Sequence, residues 1–367
     1  MSYFTGFLLR PSWLLKAFCC TFLLIPFHLA AQVGVRNLFR LDGSQAWRSS
    51  HPEQSLKLLW QPELDYTIGS FDRARFSSSL SSQSYLTGLE DKPELDTKLY
   101  RAWGKVDFSA ISLCLGLQRI NFGTADLIRP QQWFDRLSPL DKSEETEGVV
   151  AALGSIALGS TGKMMLWAIR SEDECRGNEF IPSLPDMVEP GARLELPAGP
   201  VFTGLSYHYR KAGTSSFPET EEHRMGFDLR WDGLFGAWLE SSGSYFSSDE
   251  EVPYPSLQTA FSLGADYTVG LGNGLYLRQE TGFIHVSGED FAALHTETLN
   301  TALLLSYPLS LLDNVQALGV YDWSSRLVTT TLQISRIYDY WSFFLSASQV
   351  FERATHPELR LRIALNI

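Results

Sequence analysis

The chain has 367 residues, of which 44% are hydrophobic and 13% aromatic, and it carries a formal net charge of −12. That acidic balance points away from a nucleic-acid partner, and beyond residue 31 no apolar run is long enough for a spanning helix. If such a chain lives in a membrane, it must cross as a closed barrel, the other structure that satisfies every backbone polar group internally.

At the N-terminus, Arg10 and Lys16 precede an apolar run from Ala17 to Ala31 that ends on small residues, with no acidic residue before it. This pattern predicts a secretory signal over 1–31. A permanent anchor would need about 18 to 20 uninterrupted apolar residues, and Pro26 and His28 break the run. Cys19 and Cys20 leave with the signal; Cys114 and Cys175 remain, too few for a disulfide framework, with pairing between them left open. Residues 32–55, with Arg36, Arg40, Asp42, Trp47 and Arg48, show no period of two and are expected to form a periplasmic or lumenal segment. The barrel itself is expected over 56–367.

Between Leu56 and Leu86 the pattern allows one to three strands, with Phe71, Arg73, Arg75 and Ser77 opposite Ala74, Phe76, Ser78 and Leu80. From residue 98 onward, fifteen segments alternate apolar and polar positions, ending with Leu359, Leu361, Ile363, Leu365 and Ile367 opposite Arg360, Arg362, Ala364 and Asn366. The last segment is expected to close the barrel against a first strand near Leu56 to Phe76. The connectors are of two kinds. Short ones rich in turn residues lie at 108–111, 158–163, 196–200, 231–234, 270–274 and 337–340. Long acidic ones lie at 140–148, 171–189, 213–222, 247–255 and 287–294. The two kinds interleave, so antiparallel pairing puts short turns at one rim and acidic loops at the other, as in outer-membrane barrels. The fold class is therefore all-β, a closed antiparallel transmembrane barrel of about sixteen strands, with fourteen and eighteen as the alternatives.

Three motifs follow one another between Leu99 and Asp141: Tyr100-Arg-Ala-Trp-Gly-Lys105, Gly116-Leu-Gln-Arg-Ile-Asn-Phe-Gly123, and Trp133-Phe-Asp-Arg-Leu-Ser-Pro-Leu-Asp141 after Pro130. This stretch resembles the hairpin and following loop of a group of porin-like outer-membrane proteins, distantly similar to alginate-export-type barrels. Asn273-Gly-Leu-Tyr-Leu-Arg278 is similar to a further hairpin of that group. Leu117 stands where the group has Arg, and Phe122 where Trp is usual. The resemblance implies location and fold more than cargo.

On the polar faces, Arg73, Arg75, Arg101, Lys105, Arg119, His208, Arg210, Arg230, Arg360 and Arg362 are the candidate lumen and solute-binding residues. Unpaired, they would form a cationic ladder that attracts anions; paired with Asp107, Asp228, Glu240 and Asp266, they would instead fill the interior. The apolar segment Ala125 to Asp141, with Arg129, Trp133, Phe134 and Arg136, is expected to fold inward as a constriction or plug. No nucleophile elbow, zinc helix, phosphate loop or metal-spaced cluster occurs, so neither catalysis nor a cofactor or metal is expected. The expected partners are outer-membrane lipid, lipopolysaccharide and a small solute, with a homo-oligomer left open. The expected activity is a porin-like channel for small anionic or saccharide solutes, and the rival is a plugged receptor or structural barrel without steady conductance.

Overall fold

The computed structural model describes residues 31–47, 52–71, 74–87, 94–135, 146, 148–214, 217–247, 256–287, 297–351 and 356–367. The expected signal, apart from Ala31, lies outside them. The first nine strands are β1 (Ala31–Trp47), β2 (Pro52–Phe71), β3 (Ala74–Thr87), β4 (Glu94–Phe108), β5 (Ile111–Gln118), β6 (Val149–Leu158), β7 (Gly162–Arg170), β8 (Val188–Ala198) and β9 (Val201–Thr214). The remaining nine are β10 (Phe217–Asp232), β11 (Gly236–Ser247), β12 (Leu257–Val269), β13 (Leu275–Ser287), β14 (Glu297–Pro308), β15 (Asp313–Asp322), β16 (Leu327–Ile337), β17 (Trp341–Phe351) and β18 (His356–Asn366).

Each strand pairs antiparallel with the next, and β1 pairs with both β2 and β18, so the eighteen-stranded sheet closes on itself. Closure removes the free edge that would otherwise leave a row of backbone groups unsatisfied. The period of two sets the faces. On β18, Leu359 and Leu361 are exposed on the outer surface while Arg362 and Ala364 are buried inside. On β16 and β17, Leu332, Ile334, Phe343 and Leu345 face out, and Thr331, Gln333, Ser346 and Ser348 face in. Outward Trp, Tyr, Leu and Val recur around the whole ring, which is the surface a lipid environment requires.

Eighteen strands is the upper alternative of the expected range, and all fifteen segments from residue 98 onward are present as β4–β18. Three expectations are corrected. Residues 32–55 are not a separate segment: they form β1 and the start of β2. Val33, Val35 and Phe39 do face out on β1, but Asn37 and Gly43 share their face and Leu38 sits opposite it, which masks the alternation. For the same reason β18 closes on β1, pairing Asp42 with Arg362 and Leu38 with Asn366, rather than on the strand near Leu56 to Phe76. Finally, the acidic stretch 213–222 is mostly strand: Lys211 stands opposite Glu221 in the ladder, and the side chains of Tyr209 and Lys211 reach diagonally to Glu221 and Glu219 across the β9–β10 hairpin.

Candidate functional site

The lumen is organised by the segment that follows β5. Gln118 ends that strand by donating from Nε2 to the carbonyls of Cys114 at 3.2 Å and Ala151 at 3.0 Å. From Arg119 the chain turns into the barrel. Gly123, at φ 102°, passes so close to Glu240 that a Cβ there would lie 2.5 Å from Oε2, so only glycine fits. The Glu240 carboxylate of β11 then accepts the backbone N–H groups of Thr124 (2.7 Å), Ala125 (2.8 Å) and Gln131 (2.8 Å). Two strands further on, Glu280 of β13 accepts those of Asp126 (3.0 Å), Leu127 (2.9 Å) and Ile128 (2.7 Å). Both carboxylates are 0% exposed. They satisfy a run of backbone donors that forms no ladder of its own.

Leu127 continues the crossing and packs against Ala302 and Leu304 of β14 and Leu318 of β15. In a ring of eighteen strands, β14 lies across the lumen from β5, so this segment spans the barrel and divides it.

The side bounded by β6–β13 is densely filled. Phe122, Trp133 and Phe134 of the segment meet Trp167 of β7 and His208 of β9, with ring centroids 5.0–6.3 Å apart. Trp133 also donates from Nε1 to Ser242 at 3.0 Å. Beneath them Arg193 grips Asp228 with two bonds, 2.6 and 3.0 Å, and Gln131 donates to the same carboxylate at 3.0 Å. The connector between β7 and β8 also turns inward. Its Asn178 amide donates to Gln132 O at 3.0 Å, and its Glu179 sits between Arg210 (3.3 Å) and Arg224 (3.0 Å). Glu222 bridges the same two guanidinium groups at 2.5 and 2.7 Å, and Arg176 meets Glu189 at 2.5 Å. Each charge of these ion pairs has an opposite partner, the condition under which burial is tolerable. A cavity of about 130 Å³ remains between the segment and β10–β13, lined in part by Arg129, Gln132, Asn178, Arg224 and Gln258.

On the side bounded by β16–β18 and β1–β4, the described contact with an inward loop is that of Arg101 with Thr146. Its wall carries short polar side chains, with Thr329, Gln333, Ser342, Ser346 and Ser348 all partly exposed to the lumen.

The expected site residues fall on both sides. Arg75, Arg101 and Lys105 point inward from β3 and β4, with Lys105 on Asp107 at 2.8 Å and Arg101 donating to Thr146 O at 2.6 Å. Arg360 meets Glu358 at 3.2 Å, and Arg362 meets Asp42 of β1. Arg230 lies between Asp232 and Asp266. Arg119 is 44% exposed and 3.4 Å from Asp135. Arg129 and Asp135 stand 3.5 Å apart, and Trp133 and Phe134 are buried, so the last two are fastenings of the segment rather than lining. His208 and Arg210 are corrected: at 0% and 1% exposed under the two inward loops, neither presents a surface to a solute. Arg73 and Arg136 lie outside the described residues. Cys114 and Cys175 are not joined to each other by a disulfide.

Glu280, Arg193, Glu222 and Arg224 are the participants that the sequence reading missed. Glu280 sits on a strand apolar on both faces, and Glu222 lies in a stretch that reads as an acidic loop. Their signal was present only as alternation, in Arg278-Gln-Glu280 and Glu222-His-Arg224.

No family model matches the sequence, and no curated protein matches it. Solved structures do. The anion-selective porin from Comamonas acidovorans aligns over 92% of this chain and 100% of its own, at 10% identity and a TM-score of 0.52. The fold is a porin fold. OccK5 (OpdH) of Pseudomonas aeruginosa aligns over 92% and 98%, at 11% identity and a TM-score of 0.61. The outer membrane channel DcaP of Acinetobacter baumannii aligns over 92% and 97%, at 10% identity and a TM-score of 0.56. At this identity the porin likeness is one of backbone architecture.

Proposed function

We propose that the chain is a porin-like channel of the bacterial outer membrane that passes small solutes along the side of the lumen its inward segment leaves clear. The observation that carries this reading is the division itself. Glu240 and Glu280 hold the segment against β11–β15, and the ring packing it makes lies against β6, β7 and β9. A structural plug would have reason to fill both halves. The structural neighbours, an anion-selective porin and an outer membrane channel among them, support the same reading, as does the alginate-export-type likeness of Gly116 to Gly123, since that stretch leads into the lumen.

Anion attraction is the weaker part of the sequence expectation. The inward guanidinium groups of Arg230, Arg360 and Arg362 each sit on a carboxylate, so little net field is left to select ions. The test is single-channel recording of the detergent-purified chain in planar bilayers. Steady open steps with weak charge selectivity are expected, and a barrel that inserts yet stays silent would establish the plugged receptor instead.

A further inference from the structure

The clear side of the lumen has two chemically distinct walls. Among the described residues of β15, β16 and β17, the inward positions include Asn314, Gln316, Thr329, Gln333, Ser346 and Ser348, beside Leu318 and Val320 next to Leu127, and the single charge among them is Asp322 at the loop end. On β18 and β1–β4, charge comes in pairs: Arg40 and Arg362 on Asp42, Arg360 on Glu358, Lys105 on Asp107. Arg75, at the turn end, lies across from Asp107 in the ladder. Two partly exposed aromatic rings also point inward, Trp103 from β4 and Phe344 from β17.

We propose that the solutes of this channel are small neutral polyhydroxylated molecules, saccharides in chemical class. This rests on the channel reading above and deepens it. A hydroxylated solute leaving water must find a donor or acceptor for each hydroxyl, and the Thr, Ser, Asn and Gln side chains of β15–β17 both donate and accept. The apolar C–H face of a sugar ring packs on an aromatic ring, and Trp103 and Phe344 supply such faces. A solute carboxylate fares worse. It gives up hydration to meet cations already held by carboxylates, and its charge is repelled by the same partners.

The test is osmotic swelling of proteoliposomes that contain the full chain, in isoosmotic glucose and in sodium glucuronate, which share a ring and differ by a carboxylate. Glucose is expected to enter about tenfold faster, the factor that corresponds to about 1.4 kcal/mol. Ser346→Lys places a cation on the uncharged wall and is expected to shrink or invert that ratio; Gln333→Lys serves the same purpose if the first variant does not fold. Glucuronate entering as fast as glucose would overturn the solute class and leave the channel standing. An absence of swelling in either solute, from a barrel that has inserted, would overturn the channel reading and the solute class with it.

Discussion

Glu240 and Glu280 turn buried carboxylates into fastenings for backbone that would otherwise be unsatisfied in a dry interior. Each accepts three amide N–H groups from consecutive or nearby residues. Glu280→Ala strands the amides of Asp126, Leu127 and Ile128, at about 1–3 kcal/mol for each group left buried and unpaired. Relief comes most easily by the segment detaching from the wall. The expected outcome is noisier, larger single-channel current and faster proteolysis within 119–135, with the barrel still folded; unchanged noise and proteolysis would contradict it. Arg193 illustrates the opposite case, a buried charge whose loss the wall itself must absorb. Arg193→Ala leaves Asp228 without its bidentate partner, a change worth about 3–5 kcal/mol. It is expected to lower the temperature at which the barrel loses its fast-migrating folded form on a gel, and Arg193→Met with Asp228→Leu together should restore most of the loss. A single variant as heat-stable as the parent would show that Asp228 finds another partner.

At the scale of elements, the strands from β4 onward were legible because lipid on one face and water on the other impose a period of two that few other environments maintain. The N-terminal strands were harder to read for specific reasons. β1 places Leu38 inward, and Asn37 and Gly43 outward. β3 carries serine on both faces, Ser77, Ser79 and Ser81 inside with Ser82 and Ser84 outside. A hydroxyl suits either side, so the alternation gives no contrast there. The inward course of the segment after β5 was legible from its apolar content, since Leu127, Trp133 and Phe134 would be costly in water. Its fastening points were not, because they depend on strands more than a hundred residues away in sequence. Removing residues 120–134 is expected to raise single-channel conductance severalfold, because the filled half would then open as well; an unchanged conductance would mean that the segment does not obstruct the lumen.

At the scale of the whole molecule, the barrel combines a uniform outside with an asymmetric inside. The outside is apolar around the full ring, and closure through β1 and β18 leaves no edge for another chain to extend. Inside, one half is a packed core of rings and ion pairs, and the other combines the polar wall of β16 and β17 with paired charges on β18 and β1–β4. That asymmetry was only partly readable in advance. The inward residues could be named from alternation, but which of them would be covered depended on where the loops landed, so His208 and Arg210 read as lumen residues and are buried, while Ser346, on the polar face of its strand by alternation, is partly exposed. Current measured through thiol-modified variants tests the division most directly. Ser346→Cys, on the clear side, is expected to lose conductance when treated with a bulky charged methanethiosulfonate reagent. Ser262→Cys, on the filled side and 0% exposed in the parent, is expected to respond no more than the parent chain itself. Equal block at both positions, or none at Ser346→Cys in a conducting barrel, would contradict a lumen open on one side only.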